Sequence, residues 1–421
     1  MRILFLSINY WPDETGIAAF NIWRCEYLAS RGHQVTICTG PPYYPQWRVP
    51  DAYRGKFFQT ETRNGVTILR SWMFVPQRLS TKKRILHEAS FLASSFVRAL
   101  GARKPDLIFV VSPPLGLGLT AAMLGRMWHV PFIFDVEDLQ PDAAVELGML
   151  RGRSILKVLY GIERMAYDHA ALVSSITEGM RQRIVQKGID PAKVLLFPPR
   201  ADSSLYDVRQ RRDADAFRER YGLRGKTVIS HSGNMGVKQG LGIVLEVAGQ
   251  SREMRQWHFL FVGDGAMRAE LEQQARSRNL DNVSFLPVLE KVEFEQMLAS
   301  TDIALITQQQ SVSDIVFPSK TVTLLSAGCP VIASVNRGSE VARVIQSSGA
   351  GVVVEPEDAG ALSRAIQELS ADAGLRARMS GCGRAFAEAS WDERRTLPAM
   401  EEELLRCVRR RARGTGPDAR E

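Results

Sequence analysis

The stretch KTVISHSGNMGVKQG (226–240) decides the architecture. It opens as a short apolar strand. The run breaks at Gly233, Gly236 and Gly240, and a helix is expected beyond. A strand that feeds a Gly-rich turn and then a helix is the repeating unit of a parallel sheet covered by helices on both faces. Three glycines let a ligand approach the backbone, and Lys238 adds a cation at the helix start, a combination suited to a diphosphate. A tight turn with a solvated lysine is the competing reading when the loop is taken alone. The pattern is not GxxxxGK[ST], so P-loop hydrolysis is not indicated.

Outward from this point the same alternation recurs. HFLFVGDG (258–265), NVSFLP (282–287), IALIT (303–307), PVIAS (330–334) and GVVVE (351–355) read as strands after it. RILFLSI (2–8), QVTICT (34–39), DLIFVVS (106–112), PFIFDV (131–136) and ALVSSI (171–176) read as strands before it. The fold class is therefore α/β, with two doubly wound Rossmann-like domains. The charged segment 200–226 separates them. The expected division is 1–205, 206–390, and a C-terminal helix with a basic tail over 391–421. In such folds ligands sit beyond the C-terminal ends of the strands.

Composition narrows the classes. The chain has 421 residues, 45% apolar and 24% charged, which excludes a disordered or collagen-like chain and exceeds one ordinary core. Five scattered cysteines without a CxxC pair argue against a disulfide framework or a zinc site and favour a reducing compartment. The first strand begins at residue 2, so a secreted chain is not expected. The net charge of +8 is uneven: residues 1–199 hold 24 Lys+Arg against 16 Asp+Glu, and the rest is balanced. The first half should face an anionic partner. Its segment 76–104 is basic and amphipathic, with Arg78, Lys82, Lys83, Arg84 and Arg98 among Ile85, Leu86, Phe91 and Val97. Beside Trp47, Trp72 and Phe74 it fits an anionic membrane surface, or else a solvated helix with one packed face.

Three further segments are candidates for chemistry. DIVFPSKTVTLLSAGCPVIAS (314–334) places Ser319, Lys320 and Thr321 after Pro318, where a helix start offers amides and a cation. NYWPDETGIAAF (9–20) brings Gly16 to a helix N-terminus without the GxGxxG of dinucleotide enzymes. FDVEDLQPD (134–142) sets Asp135, Glu137, Asp138 and Asp142 after a strand, where carboxylates orient hydroxyls, act as a base or cap a helix. No His or Cys accompanies them, so a metal site is not expected. His33, His231 and His258 read as packing residues.

These motifs together resemble retaining glycosyltransferases of the GT-B fold, family 4, in the bacterial group that builds colanic acid, O-antigen and exopolysaccharides. The likeness runs from INYWPDETGI and PPYYPQW through DVEDLQPDAAVELGML, SGNMGVKQGL, VGDG and PSK to AGCPVIAS and GVVVEPEDAGAL. It implies an N-terminal acceptor domain, a C-terminal nucleotide-sugar domain and a final helix that crosses back to the first. It implies a UDP- or GDP-linked sugar as co-substrate, a deoxy sugar such as fucose or N-acetylfucosamine, no separate cofactor and no metal. It also implies retention of anomeric configuration. The acceptor would be a saccharide on polyprenyl pyrophosphate at the inner face of the cell membrane, with the protein cytoplasmic and peripheral and no nucleic acid bound.

Matched position by position, Ser232, Gly233, Asn234, Lys238, Gln239 and Gly240 take the diphosphate loop. Ser319, Lys320 and Thr321 take the second turn, Leu286 and Pro287 the base, and Gly16 the approach to the donor phosphates. Glu340 takes an acidic position. Lys238 and Lys320 would stabilise the leaving diphosphate, and Asp138 or Glu137 would orient the acceptor. The family's two glutamates, eight residues apart, fall on Ile315 and Thr323, with Asp314 beside the first. Its Lys-Gly pair falls on Gln239-Gly240, which displaces Lys238 by one. The rival readings are a catalytically silent partner of another transferase and a sugar-nucleotide epimerase on the same fold.

Overall fold

A computed structural model of the chain describes residues 1–14, 16–44, 46–78, 80–146, 152–208, 213–311 and 317–412. It divides into two compact units, one of Met1–Pro198 with the chain from Arg394, the other of Pro199–Glu393.

The first unit is built on strands β1 (Arg2–Leu6), β2 (Gln34–Thr39), β3 (Phe58–Arg63), β4 (Val66–Ser71), β5 (Leu107–Ser112), β6 (Phe132–Val136), β7 (Leu172–Ser175) and β8 (Val194–Leu196). They form one sheet in the order β3-β4-β2-β1-β5-β6-β7-β8. Every pairing is parallel except β3 with β4. All six residues of β5 are buried, as a strand covered on both faces requires. The β3–β4 hairpin and β8 are not among the strands expected above. β3 is FQTETR, polar on both faces and at the sheet edge, so it lacks the apolar signal of its neighbours. Its turn did carry a signal: Asn64 and Gly65 both have positive φ (46° and 80°), the backbone a two-residue hairpin needs.

The second unit carries β9 (Thr227–Ser232), β10 (Trp257–Val262), β11 (Val283–Leu286), β12 (Ile303–Thr307), β13 (Val331–Ser334) and β14 (Gly351–Val354). All are parallel, in the order β11-β10-β9-β12-β13-β14. The chain reverses direction across the sheet between β9 and β12, so their C-terminal ends frame the crevice where doubly wound sheets bind ligands. Two apolar clusters cover the sheet, one around Val228, Leu260 and Leu325, the other around Ile229, Phe259 and Leu305.

The chain divides at 198/199 and 393/394, against the expected 205/206 and 390/391. Ala201, Leu205 and Val208 are the cause, because they pack into the second core. The Ala201 amide also donates to the Trp391 carbonyl at 2.8 Å.

The helix Glu393–Ala412 belongs mainly to the first unit, where Met400, Leu404 and Cys407 join the core with Leu28 and Val35. Glu401 fastens it. Its carboxylate accepts from Tyr27 Oη at 2.8 Å and Arg31 Nε at 3.2 Å, and lies 2.9 Å from His33 Nε2. Burial acts to raise the Glu401 carboxyl, but His33, Tyr27 and Arg31 together hold it below the usual range. Its stabilisation is thus present above the ordinary glutamate value and is lost as pH falls through the lowered one. Glu401→Ala should cost about 1–3 kcal/mol, read as a fall in the midpoint of thermal unfolding at pH 7. An unchanged midpoint would show that the helix docks through its apolar face alone. Among the described residues, no helix is long and apolar enough to cross a membrane.

Candidate functional site

The loop 233–240 leaves the C-terminal end of β9 and is laced to its neighbours. The Gly233 amide donates to Val262, Met235 to Asp264, and Met267 to Met235, all within 2.9 Å. This lacing brings the backbone of VGDG so close that a Cβ on Gly263 would fall 2.1 Å from the Gly233 oxygen. Only glycine fits there. The far side of the loop is held to the end of β12. Thr307 Oγ1 donates to the Gln239 carbonyl at 2.6 Å, and the Gln309 amide donates to the Lys238 carbonyl at 2.8 Å. Gln239 closes the turn on itself through Oε1, which accepts from the Gly236 amide at 3.1 Å. Gly233, Asn234 and Lys238 are exposed; Ser232 is buried.

The second turn reaches the same place. Pro318 caps the helix Ser319–Ser326 and fixes the chain at φ −65°. The Thr321 amide is already spent on the Pro318 carbonyl at 2.9 Å, so the expectation that three successive amides face a ligand is corrected to those of Ser319 and Lys320. Ser319 is exposed, and Thr321 is fully buried with Oγ1 unpartnered. Thr323 is partly buried on the same helix. The Lys320 chain is partly buried as a whole, with its ammonium inside the protein, 3.3 Å from His231 Nδ1. Burial pushes that ammonium down to about 7, and no charged group among the described residues offsets it. His231 itself, the penultimate residue of β9, is 1% exposed. Burial and the neighbouring lysine push its imidazole well below the usual range, leaving it neutral. The structure thus brings Lys320 to the root of the Gly-rich loop. Read from sequence as packing, His231 is the contact that makes this junction.

Leu286 ends β11, and its carbonyl accepts from Gly263 and from Arg268 Nη1 at 2.9 Å. Arg268, which sequence reading passed over, therefore occupies the acceptor at this position; Pro287 beyond it is exposed. Glu340 starts the helix Glu340–Ser348 after β13 and pairs with Arg343 at 2.8 Å. Asp314 and Ile315 lie outside the described residues.

In the first unit Gly16 caps the helix Ile17–Ser30 with φ 58°. Asp138 is partly buried just after β6. Glu137 is corrected: it is 4% exposed and bound to a buried arginine rather than turned toward an acceptor. Arg24 Nη1 donates to Asp135 at 2.7 Å and to Glu137 at 2.9 Å, and Ser174 Oγ donates to Asp135 at 2.6 Å. Burial, with Asp135 adding to it, pushes the Glu137 carboxyl up to about 8 against the pull of Arg24. Asp142 is likewise engaged, with Lys187 at 2.6 Å and Tyr160 at 2.8 Å.

A Gly-rich turn at the switch point of a doubly wound sheet, with the Lys320 amine at its root, is the candidate site of this two-unit α/β chain. Residues 15–200 match the glycosyl transferase 4-like domain, and residues 213–386 match the glycosyl transferases group 1 domain. A chain of Escherichia coli K12 described as a colanic acid biosynthesis glycosyl transferase, WcaI, is 32% identical over 94% of this chain and 98% of its own length. A Pseudomonas aeruginosa glycosyltransferase, WbjE, is 27% identical over 73% of this chain and 75% of its own. Among solved structures, Anabaena Alr3699/HepE in complex with UDP superposes with a TM-score of 0.71 at 16% identity, covering 96% of this chain and all of that one. The chain belongs to the GT-B glycosyltransferases of family 4, in the colanic acid and O-antigen group, and is a glycosyltransferase of polysaccharide biosynthesis.

Proposed function

We propose that the second unit binds a nucleoside-diphosphate sugar, UDP- or GDP-linked, and that the enzyme transfers the sugar with retention to a hydroxyl of a saccharide carried on polyprenyl pyrophosphate. The observation that carries this reading is the Lys320 ammonium: buried at the root of the Gly-rich loop, it has no carboxylate partner among the described residues. A buried cation without a counter-charge is costly until an anion arrives. The UDP complex of the Anabaena structure supports a nucleotide donor, and the colanic acid relative supports a surface polysaccharide. Lys238, Lys320 and the Ser319 and Lys320 amides then stabilise charge on the leaving diphosphate, the main electrostatic contribution to rate. Ser232, Gly233, Asn234, Gln239 and Gly240 shape the loop, and Asp138 orients the acceptor hydroxyl. The sugar nucleotide is a co-substrate, and no separate cofactor takes part. Release of free UDP or GDP from the sugar nucleotide, dependent on acceptor membranes, tests the reaction. An epimerised sugar nucleotide formed without acceptor would replace it with the epimerase reading.

The acceptor side rests on the helix Thr81–Leu100. Lys82, Lys83, Arg84, Ile85 and Leu86 are all exposed, as are Val97 and Leu100. Phe57, Phe58 and Trp72 are exposed too, Phe57 stacked on Trp72 at 5.9 Å. Cations beside apolar and aromatic side chains suit the headgroup zone of an anionic leaflet at the inner face of the membrane. Replacing Lys82, Lys83 and Arg84 by Ala should weaken flotation with anionic vesicles roughly 100-fold, at about 1 kcal/mol per cation. Equal flotation on neutral vesicles would remove the charge from the argument.

A further inference from the structure

We propose that His231 is the positioning residue of the donor site: its Nδ1 lies beside the Lys320 amine and holds it at the root of the Gly-rich loop, where it meets the diphosphate. The proposal rests on the reading of this site as a nucleoside-diphosphate pocket.

The geometry is specific. Nζ and Nδ1 are 3.3 Å apart, across 89 residues of chain. The imidazole is fixed by β9 and lies 6.1 Å from the Phe261 ring, which stacks on Phe285. An ammonium can only donate, so Nδ1 accepts and the ring proton sits on Nε2. Nε2 is buried and unpartnered, and the Asn234 backbone is the ring's other hydrogen-bonding neighbour. At Thr323, where the family carries a glutamate, the side chain brings no charge.

A neutral acceptor orients an amine without neutralising it. Burial alone acts on Lys320, and on His231 burial, Lys320 and the Asn234 backbone act; no other charged group among the described residues faces either. The amine therefore sheds its proton through neutral pH in the unliganded protein and regains it when a phosphoryl oxygen comes within reach. The sign follows. Below 7 the lysine is already charged and binding takes up little. Above 7 binding takes up most of one proton, and Kd rises by up to tenfold per pH unit.

The test is calorimetric titration of UDP and of GDP into the full-length protein at pH 6 and pH 8, each in two buffers of different ionisation heat. The nucleotide that binds should take up most of one proton at pH 8 and little at pH 6. Lys320→Arg, charged throughout, should abolish the uptake. His231→Asn places Oδ1 where Nδ1 stood and should hold affinity within threefold, with uptake intact. His231→Leu should weaken binding at least tenfold. Binding at pH 8 without proton uptake, or a His231→Leu protein that binds as tightly as the parent, overturns the proposal and leaves the nucleotide reading standing. If neither nucleotide binds at any pH, the nucleotide reading fails and the proposal with it.

Discussion

Lys320→Met should weaken UDP or GDP binding 10- to 100-fold and make the unliganded protein more stable at the same time. The two effects share one cause. Methionine keeps the unbranched, flexible stem in its place on the helix Ser319–Ser326 and deletes the ammonium. A charge-assisted hydrogen bond to phosphate contributes roughly 1.5–3 kcal/mol, which sets the loss of affinity. The gain in stability comes from the lysine's lowered folded value, about 7, against its ordinary 10.5. Below 7 both the folded and the unfolded chain hold the proton, but the folded one holds it against the cost of burial, so the wild-type residue destabilises by a few kcal/mol. That cost shrinks as pH rises from 7 to the unfolded value, and the stability difference between variant and parent should shrink with it. Thermal unfolding at pH 6.5 and 9.5, with and without nucleotide, measures both. A variant that is less stable without nucleotide would show that the ammonium is satisfied in the free protein, and the donor-site argument would lose its basis.

The layout of this site was largely legible in sequence, because glycine spacing and a proline before Ser-Lys-Thr are local signals. Alternation implied a parallel, doubly wound sheet; the order β11-β10-β9-β12-β13-β14, which puts the two turns at one crevice, is a finding of the structure. What escaped was tertiary. His231 sits inside TVISHS, a buried strand, where a histidine usually packs; only the lysine 89 positions away shows why it is there. Arg268 was missed because its i,i+4 pairing with Glu272 reads as an ordinary helix-surface pair, while its contacts with the Gly263 and Leu286 carbonyls are tertiary. Glu137 was misread for the opposite reason. Four carboxylates after a strand look like a functional cluster, yet residues 135 and 137 share one side of the chain and both turn inward. One local clue existed. Arg24 lies on the buried face of IAAFNIWRCEYLAS, beside Cys25 and Leu28, and a charge there demands a partner.

That cluster carries the largest expected effect on stability. Arg24→Met should cost the protein about 3–5 kcal/mol at pH 7, because it strands Asp135 and Glu137 together in a dry site. The parent balances one guanidinium against two carboxylates by leaving Glu137 protonated, its value pushed up to about 8. A raised carboxyl contributes stability that is complete below the ordinary glutamate value near 4.5 and is lost as pH rises through 8, so the parent itself weakens over that window. In Arg24→Met the attraction that restrained the shift is gone, and the variant should recover much of its deficit at pH 5. Glu137→Gln keeps an acceptor for Arg24 and removes the titration, so it should flatten the stability profile between pH 5 and 8. Combined with Arg24→Met, it should reduce the deficit below that of Arg24→Met alone, since one stranded charge is less costly than two. Urea unfolding of the four proteins at pH 5 and pH 8 decides the matter. An Arg24→Met deficit that is the same at both pH values would mean that the carboxylates stay ionised and solvated, and Glu137 would return to the candidates for orienting the acceptor.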